Sequence, residues 1–230
     1  MGEGIGNEES LMPFISSANI ACGYHAGDKT TMEQVIALCL KYHVNIGAHP
    51  SFPDSENFGR KEMQLPLPEV YTMVTDQLNI LNELVKKNEA KLHHIKPHGA
   101  LYNMAAKNTA LAKTIAQAVK DFDHSLIYYG LSGSVMINEA ISLGLQTVDE
   151  VFADRTYQSD GSLTLRSQNN ALLNNTDDVV KQVLKFVKEN KVVTMTGEEI
   201  FVKAGTICIH GDGQHAVEFA KTIYRQLHEK

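Results

Sequence analysis

Tryptophan is absent from the 230 residues, and cysteine occurs only three times. Cys22, Cys39 and Cys208 stand far apart with no CxxC pair, which excludes a disulfide framework and a four-thiolate zinc site. Three reduced, mostly buried thiols are expected. No apolar run approaches the roughly 18 residues needed to cross a bilayer. The opening MGEGIGNEES has neither the basic segment nor the apolar segment of a secretion signal. The expectation is a cytoplasmic protein with no membrane partner. Basic runs are missing too, and the formal charge is −6. Nucleic-acid affinity comes mainly from Lys and Arg neutralising phosphates, so no nucleic-acid partner is expected.

What is present is apolar periodicity. Hydrophobic residues make up 43% of the chain, enough for one sizeable core. Apolar residues recur at three- and four-residue steps at Met32, Val35, Ile36, Cys39 and Leu40, after Asp28 as a helix cap. The same period appears at Val70, Val74, Leu78, Leu81 and Val85; at Leu111, Ile115, Val119 and Phe122; at Val179, Val183, Leu184 and Val187; and at Val217, Ala220, Ile223 and Leu227. These spacings predict five amphipathic helices.

Short apolar runs lie between them at 18–23, 45–50, 92–99, 125–133, 145–153 and 206–212. Strand followed by helix, repeated, predicts parallel βα units in one α/β domain over 1–230. Six strands are too few for a complete eight-stranded barrel. Two segments break the rhythm: a polar loop over 157–175, and 192–204, which reads as a hairpin turning at Thr196 and Gly197.

In a parallel α/β fold the ligand site lies at the carboxyl ends of the strands. Here those ends are polar: HAGD at 25–28, GAHP at 47–50, KPHG at 96–99, FADR at 152–155 and HGD at 210–212. Period-two alternation puts His94, Lys96 and His98 on one face of their strand and His93 on the other. A lysine on a buried face is costly unless it meets an anion, so Lys96 is expected to hold a substrate carboxylate or phosphate. The alternative is an edge strand with a solvated lysine face. The turn after the first strand, YHAGDKTT, has the wrong spacing for a phosphate loop. His25 beside that helix start can still move a proton, and Asp28 at the least caps the helix. His49 shares the same sheet edge, where converging titratable groups make an acid–base site.

Asp154 and Asp212 suit a metal ion or a water, His210 a proton, and Arg155 an anion clamp, although Asp beside Arg is also a common structural pair. Arg166 in the polar loop either reaches over the site or sits in water. His43, His124, His215 and His228 fall on helices or their ends and are expected to face solvent. No HExxH or similarly compact metal spacing occurs.

The segments SSANIACGYHAGD, IGAHPSFPD, HHIKPHGALYNMAA, EVFADRTY and CIHGD closely resemble, in the same order, the signature segments of the LamB/YcsF family. The resemblance covers essentially the whole chain. It implies an irregular barrel of parallel strands related to the glycoside hydrolase/deacetylase superfamily. It also implies ATP-dependent cleavage of 5-oxo-L-proline to L-glutamate by a 5-oxoprolinase complex with two partner subunits, ATP being the co-substrate, with Mg²⁺. Asn19, His25, Asp28, His49, Lys96, His98, Asp154, Arg155, His210 and Asp212 match the family's motif positions. Against that pattern the chain begins at Met1-Gly2-Glu3-Gly4, so an N-terminal strand is expected to be missing and a sheet edge exposed. Two other functions compatible with the residues are a metal-dependent carbohydrate deacetylase and a non-catalytic lactam-binding subunit.

Overall fold

The apolar runs between the amphipathic helices form one sheet of six parallel strands, an irregular, open β/α barrel. A computed structural model describes residues 1–228. In chain order the elements are α1 (Glu8–Leu11), a 3₁₀ turn (Met12–Phe14), β1 (Ser17–Ala21), α2 (Lys29–Tyr42), β2 (Asn45–His49), α3 (Leu67–Lys87) and β3 (His94–Ile95). Next come α4 (Gly99–Ala105), α5 (Thr109–Phe122), β4 (Ile127–Leu131), α6 (Val135–Ser142) and β5 (Thr147–Phe152). Last are α7 (Thr176–Glu189), β6 (Lys191–Val193), β7 (Glu199–Phe201), β8 (Thr206–Cys208) and α8 (Ala216–His228).

The strand order β1-β2-β3-β4-β5-β8 follows the chain, and every pair is parallel. β1 and β8 are the two ends of this order. Both border the same cavity, so the sheet wraps round without their pairing among the described residues. β6 and β7 form the expected hairpin, apart from the main sheet, with Gly197 at φ 84° in its turn. Met195 N–H donates to Tyr157 O at 2.8 Å, fastening the hairpin to the polar loop.

The helices cover the outer faces of the strands. In α3 all five periodic residues, Val70, Val74, Leu78, Leu81 and Val85, are buried. α3 packs on α5, α5 on α6, and α7 on α8. Each apolar side chain so buried contributes roughly 1.5–3 kcal/mol. Leu40, Val187 and Leu227, expected in the buried stripes, are exposed instead. Asp28 closes a capping box at the start of α2, accepting from Thr31 N–H at 2.8 Å while Thr31 Oγ1 accepts from Asp28 N–H at 2.8 Å. α4 and α6 are too short for an apolar repeat to stand out in the sequence.

Across β1, β2 and β3 the register aligns Asn19, Gly47 and His94. The His94 ring lies over Gly47 and reaches Asn19 Oδ1, with Nε2 3.0 Å away; its other face stacks on Tyr129 at 4.2 Å. A methyl group at Gly47 would sit 2.0 Å from His94 Nε2, so only glycine admits this crossing. Gly47→Ala is expected to destabilise the protein by about 1–3 kcal/mol or more through overpacking. Urea denaturation of the purified variant checks this, and an unchanged midpoint contradicts it.

Candidate functional site

Inward-facing residues at the carboxyl ends of the strands line a cavity of about 850 Å³. The lining includes Asn19, His49, Lys96, His98, Glu150, His210 and Asp212, joined by Glu3 from the segment before α1 and Arg166 from the polar loop. Three groups of side chains build its wall.

The first is a histidine cluster. His25 lies beyond β1, His49 ends β2, and His98 caps α4 beyond β3, so three strand ends deliver three rings to one place. His25 and His98 stack at 3.9 Å, nearly parallel, and His49 stands edge-on to both. His49 Nδ1 donates to Lys96 O at 2.7 Å, and His98 Nε2 donates to Phe58 O at 2.8 Å. His98 Nδ1 and His49 Nε2 then face each other at 3.0 Å. His25 bridges Ser51 Oγ at 2.8 Å and Glu3 Oε1 at 3.2 Å. Gln77 holds Ser51 through both of its backbone groups.

The loop over the cluster passes close because residue 59 is glycine, at φ 66°. A Cβ there would lie 2.9 Å from both His25 Cβ and His98 Cδ2. Burial, then neighbouring positive groups, pushes the pKa values of His49 and His98 well below the ordinary value. Burial opposes ionisation of Glu3, but the N-terminal ammonium and His25 hold its carboxyl below the usual range.

The second group surrounds Lys96, whose anion is not left to a substrate. Nζ pairs with Glu150 Oε1 at 2.6 Å, with side chains 5% and 2% exposed, and lies 3.1 Å from Cys208 Sγ. Tyr102 OH donates to Glu150 Oε2 at 2.8 Å. The ammonium also sits 4.7 Å from the centre of the Phe152 ring, a favourable cation–π arrangement. Burial works against the lysine charge, but the Glu150 carboxylate paired with it favours the ammonium and its pKa is raised. Burial pushes Cys208 up to about 12, so the group is a thiol rather than a nucleophilic thiolate.

The third group comes from β5, β8 and two loops. His210 Nδ1 donates to Asp154 Oδ1 at 2.9 Å, and His210 N–H donates to Oδ2 at 3.1 Å. That fixes the ring and leaves Nε2 as its basic atom. Burial opposes ionisation of Asp154, yet His210 holds its carboxyl at about 2. Nearby, Asp212 Oδ2 is 2.5 Å from Arg60 Nη2 and 3.9 Å from Arg166 Nη1. Arg166 Nη2 is buried without a hydrogen-bond partner among the described residues. One carboxylate between two guanidiniums leaves capacity for a second anion.

Several expectations need correction. Asp28 is exposed at the surface as the α2 cap and does not line the cavity. Lys96 meets Glu150 rather than awaiting a substrate anion. Arg155 borders the cavity but braces the polar loop, donating from Nη2 to Thr164 O at 2.5 Å and from Nε to Ala171 O at 3.1 Å. Asp154 and Asp212, expected to hold a metal ion or water, are engaged by His210 and by Arg60 and Arg166. Asn19 lines the cavity while anchoring His94. Glu3, Arg60 and Glu150 were not anticipated from the sequence. For Glu150 the signal was present: an acidic residue of β5 directly before the apolar run VFA.

His94 itself sets a pH dependence. Burial, then His93 and Lys96, lowers its pKa to about 3. An unfolded histidine titrates near 6.5, so between these values the unfolded chain holds a proton that the folded chain refuses. Stability is therefore expected to fall on acidification below about pH 6.5, by about 1.4 kcal/mol per pH unit from this group. Urea denaturation at pH 7.0 and 5.5 measures the change; a midpoint that holds or rises at the lower pH contradicts it.

The sequence profile of the LamB/YcsF family matches residues 1–230. The chain belongs to the LamB/YcsF family. A family relative from Tolumonas auensis, named as the A subunit of 5-oxoprolinase, is 52% identical over 223 residues, covering 97% of this chain and 89% of its own. The protein of the same name from Staphylococcus haemolyticus is 50% identical over 232 residues, covering 99% and 93%. Among solved structures, the lactam utilization protein from Thermus thermophilus superposes with a TM-score of 0.90 at 39% identity, over 96% of this chain and 89% of that one. The LamB/YcsF chain has no described helix long and apolar enough to cross a membrane.

Proposed function

We propose that this chain binds 5-oxo-L-proline in the cavity and opens its lactam to L-glutamate, as one subunit of an ATP-dependent 5-oxoprolinase with two partner subunits. The observation that carries the reading is the union, in one cavity, of spare cationic capacity at Arg60 and Arg166 with the oriented His210–Asp154 pair and the His49–His98 cluster. The names of the relatives support the same substrate.

A five-membered lactam resists water because its nitrogen is a poor leaving group. Phosphorylation of the lactam oxygen by ATP would make the ring carbon receptive to water, Mg²⁺ supplying charge neutralisation when bound. The C–N bond then breaks with its electron pair going to nitrogen, and a second water releases phosphate from the resulting glutamyl phosphate. Arg166 and Arg60 anchor the substrate carboxylate or the transferred phosphoryl group. His210 Nε2 takes the proton from the attacking water or returns it to the ring nitrogen. Lys96 and Glu150 set the field of the wall behind them.

The cluster of Glu3, His49 and His98 also favours a second reading, a metal-dependent carbohydrate deacetylase. Glutamate release from 5-oxo-L-proline separates the two. The chain mixed with its partner subunits is expected to release glutamate only with ATP, and omission of the chain to abolish it. Acetate release from an N-acetyl sugar without ATP, and no glutamate, contradicts the proposal in favour of the deacetylase.

A further inference from the structure

We propose that His49 Nε2, His98 Nδ1 and the Glu3 carboxylate form a binding site for one divalent transition-metal ion of the zinc class, open towards the cavity. The lone pairs of the two rings decide it. The carbonyl of Lys96 only accepts hydrogen bonds, so the bond at 2.7 Å places a proton on His49 Nδ1. The carbonyl of Phe58, 2.8 Å from His98 Nε2, places a proton there likewise. The remaining ring nitrogens carry lone pairs, and they point at each other across 3.0 Å.

Two facing lone pairs repel unless an electron-pair acceptor joins them. A proton serves two donors. Here a third converges, because the Glu3 carboxylate has an oxygen within 4.8 Å of a ring nitrogen of each histidine. A metal ion accepts all three. Two ligands at about 2.0–2.1 Å from one ion lie about 2.9–3.4 Å apart at angles between octahedral and tetrahedral, and the observed separation fits within that range.

The surroundings are those of a metal site. Ligating histidines characteristically donate their other ring N–H to a carbonyl or carboxylate, which fixes the tautomer. Both rings do so. His25 steadies Glu3 from behind at 3.2 Å and stacks on His98 at 3.9 Å. A buried serine, a buried glutamine and a glycine thus position rings whose partner of opposite charge, among the described residues, is Glu3. Two imidazoles and one carboxylate select zinc-like ions, whereas Mg²⁺ prefers oxygen donors alone.

Glu3, His49 and His98 all line the cavity, so the ion's remaining positions face a ligand there. Its chemical use, polarising the lactam oxygen or a water, rests on the ring-opening reading. Its binding does not.

The test is equilibrium binding of Zn²⁺ to the chelator-stripped full chain, with Co²⁺ absorption reporting nitrogen and oxygen ligation. One ion per chain is expected. Affinity is expected to fall by at least about tenfold in Glu3→Gln and further in His98→Gln, whose amide keeps the bond to Phe58 O. Far-UV circular dichroism verifies that each variant is folded. His215→Ala, altering a histidine outside the cluster, is expected to bind as the unaltered chain does. Absence of saturable binding overturns the proposal and leaves a shared proton between the rings. Binding that survives both Glu3→Gln and His98→Gln overturns it too, placing the ion elsewhere. Glutamate release enters none of these measurements, so failure here is distinct from failure of the ring-opening reading.

Discussion

Replacing Glu150 by Ala is expected to lower the unfolding free energy by about 3–5 kcal/mol, because it leaves the Lys96 ammonium buried without its counter-ion. Glu150 accepts from Lys96 on one oxygen and from Tyr102 on the other, and its side chain is 2% exposed. Removing it strands a charge and a phenol together. The expected loss is far larger than for the exposed Lys41–Glu9 pair, which water and salt screen. Replacing both partners with apolar residues, Lys96→Met with Glu150→Leu, is expected to recover most of the stability, since no unpaired charge remains. Glutamate release is expected to stay lost in the double variant, because the cavity wall has lost its fixed dipole. Urea denaturation of the single and double variants separates these effects. A change below about 1 kcal/mol in Glu150→Ala refutes the pairing as a structural element.

His210→Asn is expected to reduce glutamate release by about 10²–10⁴-fold, the usual contribution of a positioned acid–base group. The fold should survive. An asparagine amide can donate to Asp154 as His210 Nδ1 does, so Asp154, held at about 2, keeps a partner. The thermal midpoint is expected to move by only a few degrees, corresponding to about 1 kcal/mol. Retained activity removes His210 from the proton path. Lost activity together with lost structure points instead to a bracing role, and Asp154→Asn, which retains the hydrogen-bond geometry without the charge, distinguishes orientation from packing.

How far the sequence foretold this site follows from what periodicity can encode. The strand ends at His49, Lys96, His98, Asp154 and His210 were legible because polar residues closing apolar runs have few other reasons to sit there. All five reach one cavity or its wall. Partners were not legible. Lys96 meets Glu150 and Cys208 across 54 and 112 positions of chain, as counted from their numbers, and period-two alternation cannot say which inward residue of another strand faces it. Arg155 was read as an anion clamp from its position after Asp154, whereas its guanidinium turns to the carbonyls of a loop whose path the sequence does not reveal. Asp28 is the converse case: its local role as a helix cap was legible, and its exposure was not. The short helices α4 and α6 escaped because no apolar repeat marks them, and the strand expected within 92–99 narrows to the two residues of β3, with Pro97 just beyond its end.

The central claim is that the cavity holds 5-oxo-L-proline with its carboxylate on the arginine side. The most direct measurement is a crystal structure of the chain with 5-oxo-L-proline bound. Density is expected in the cavity, the carboxylate on Arg166 Nη2, the group now without a partner among the described residues, and the lactam ring directed towards His49 and His98. Lactam bound outside this cavity in a chain that supports glutamate release contradicts the claim.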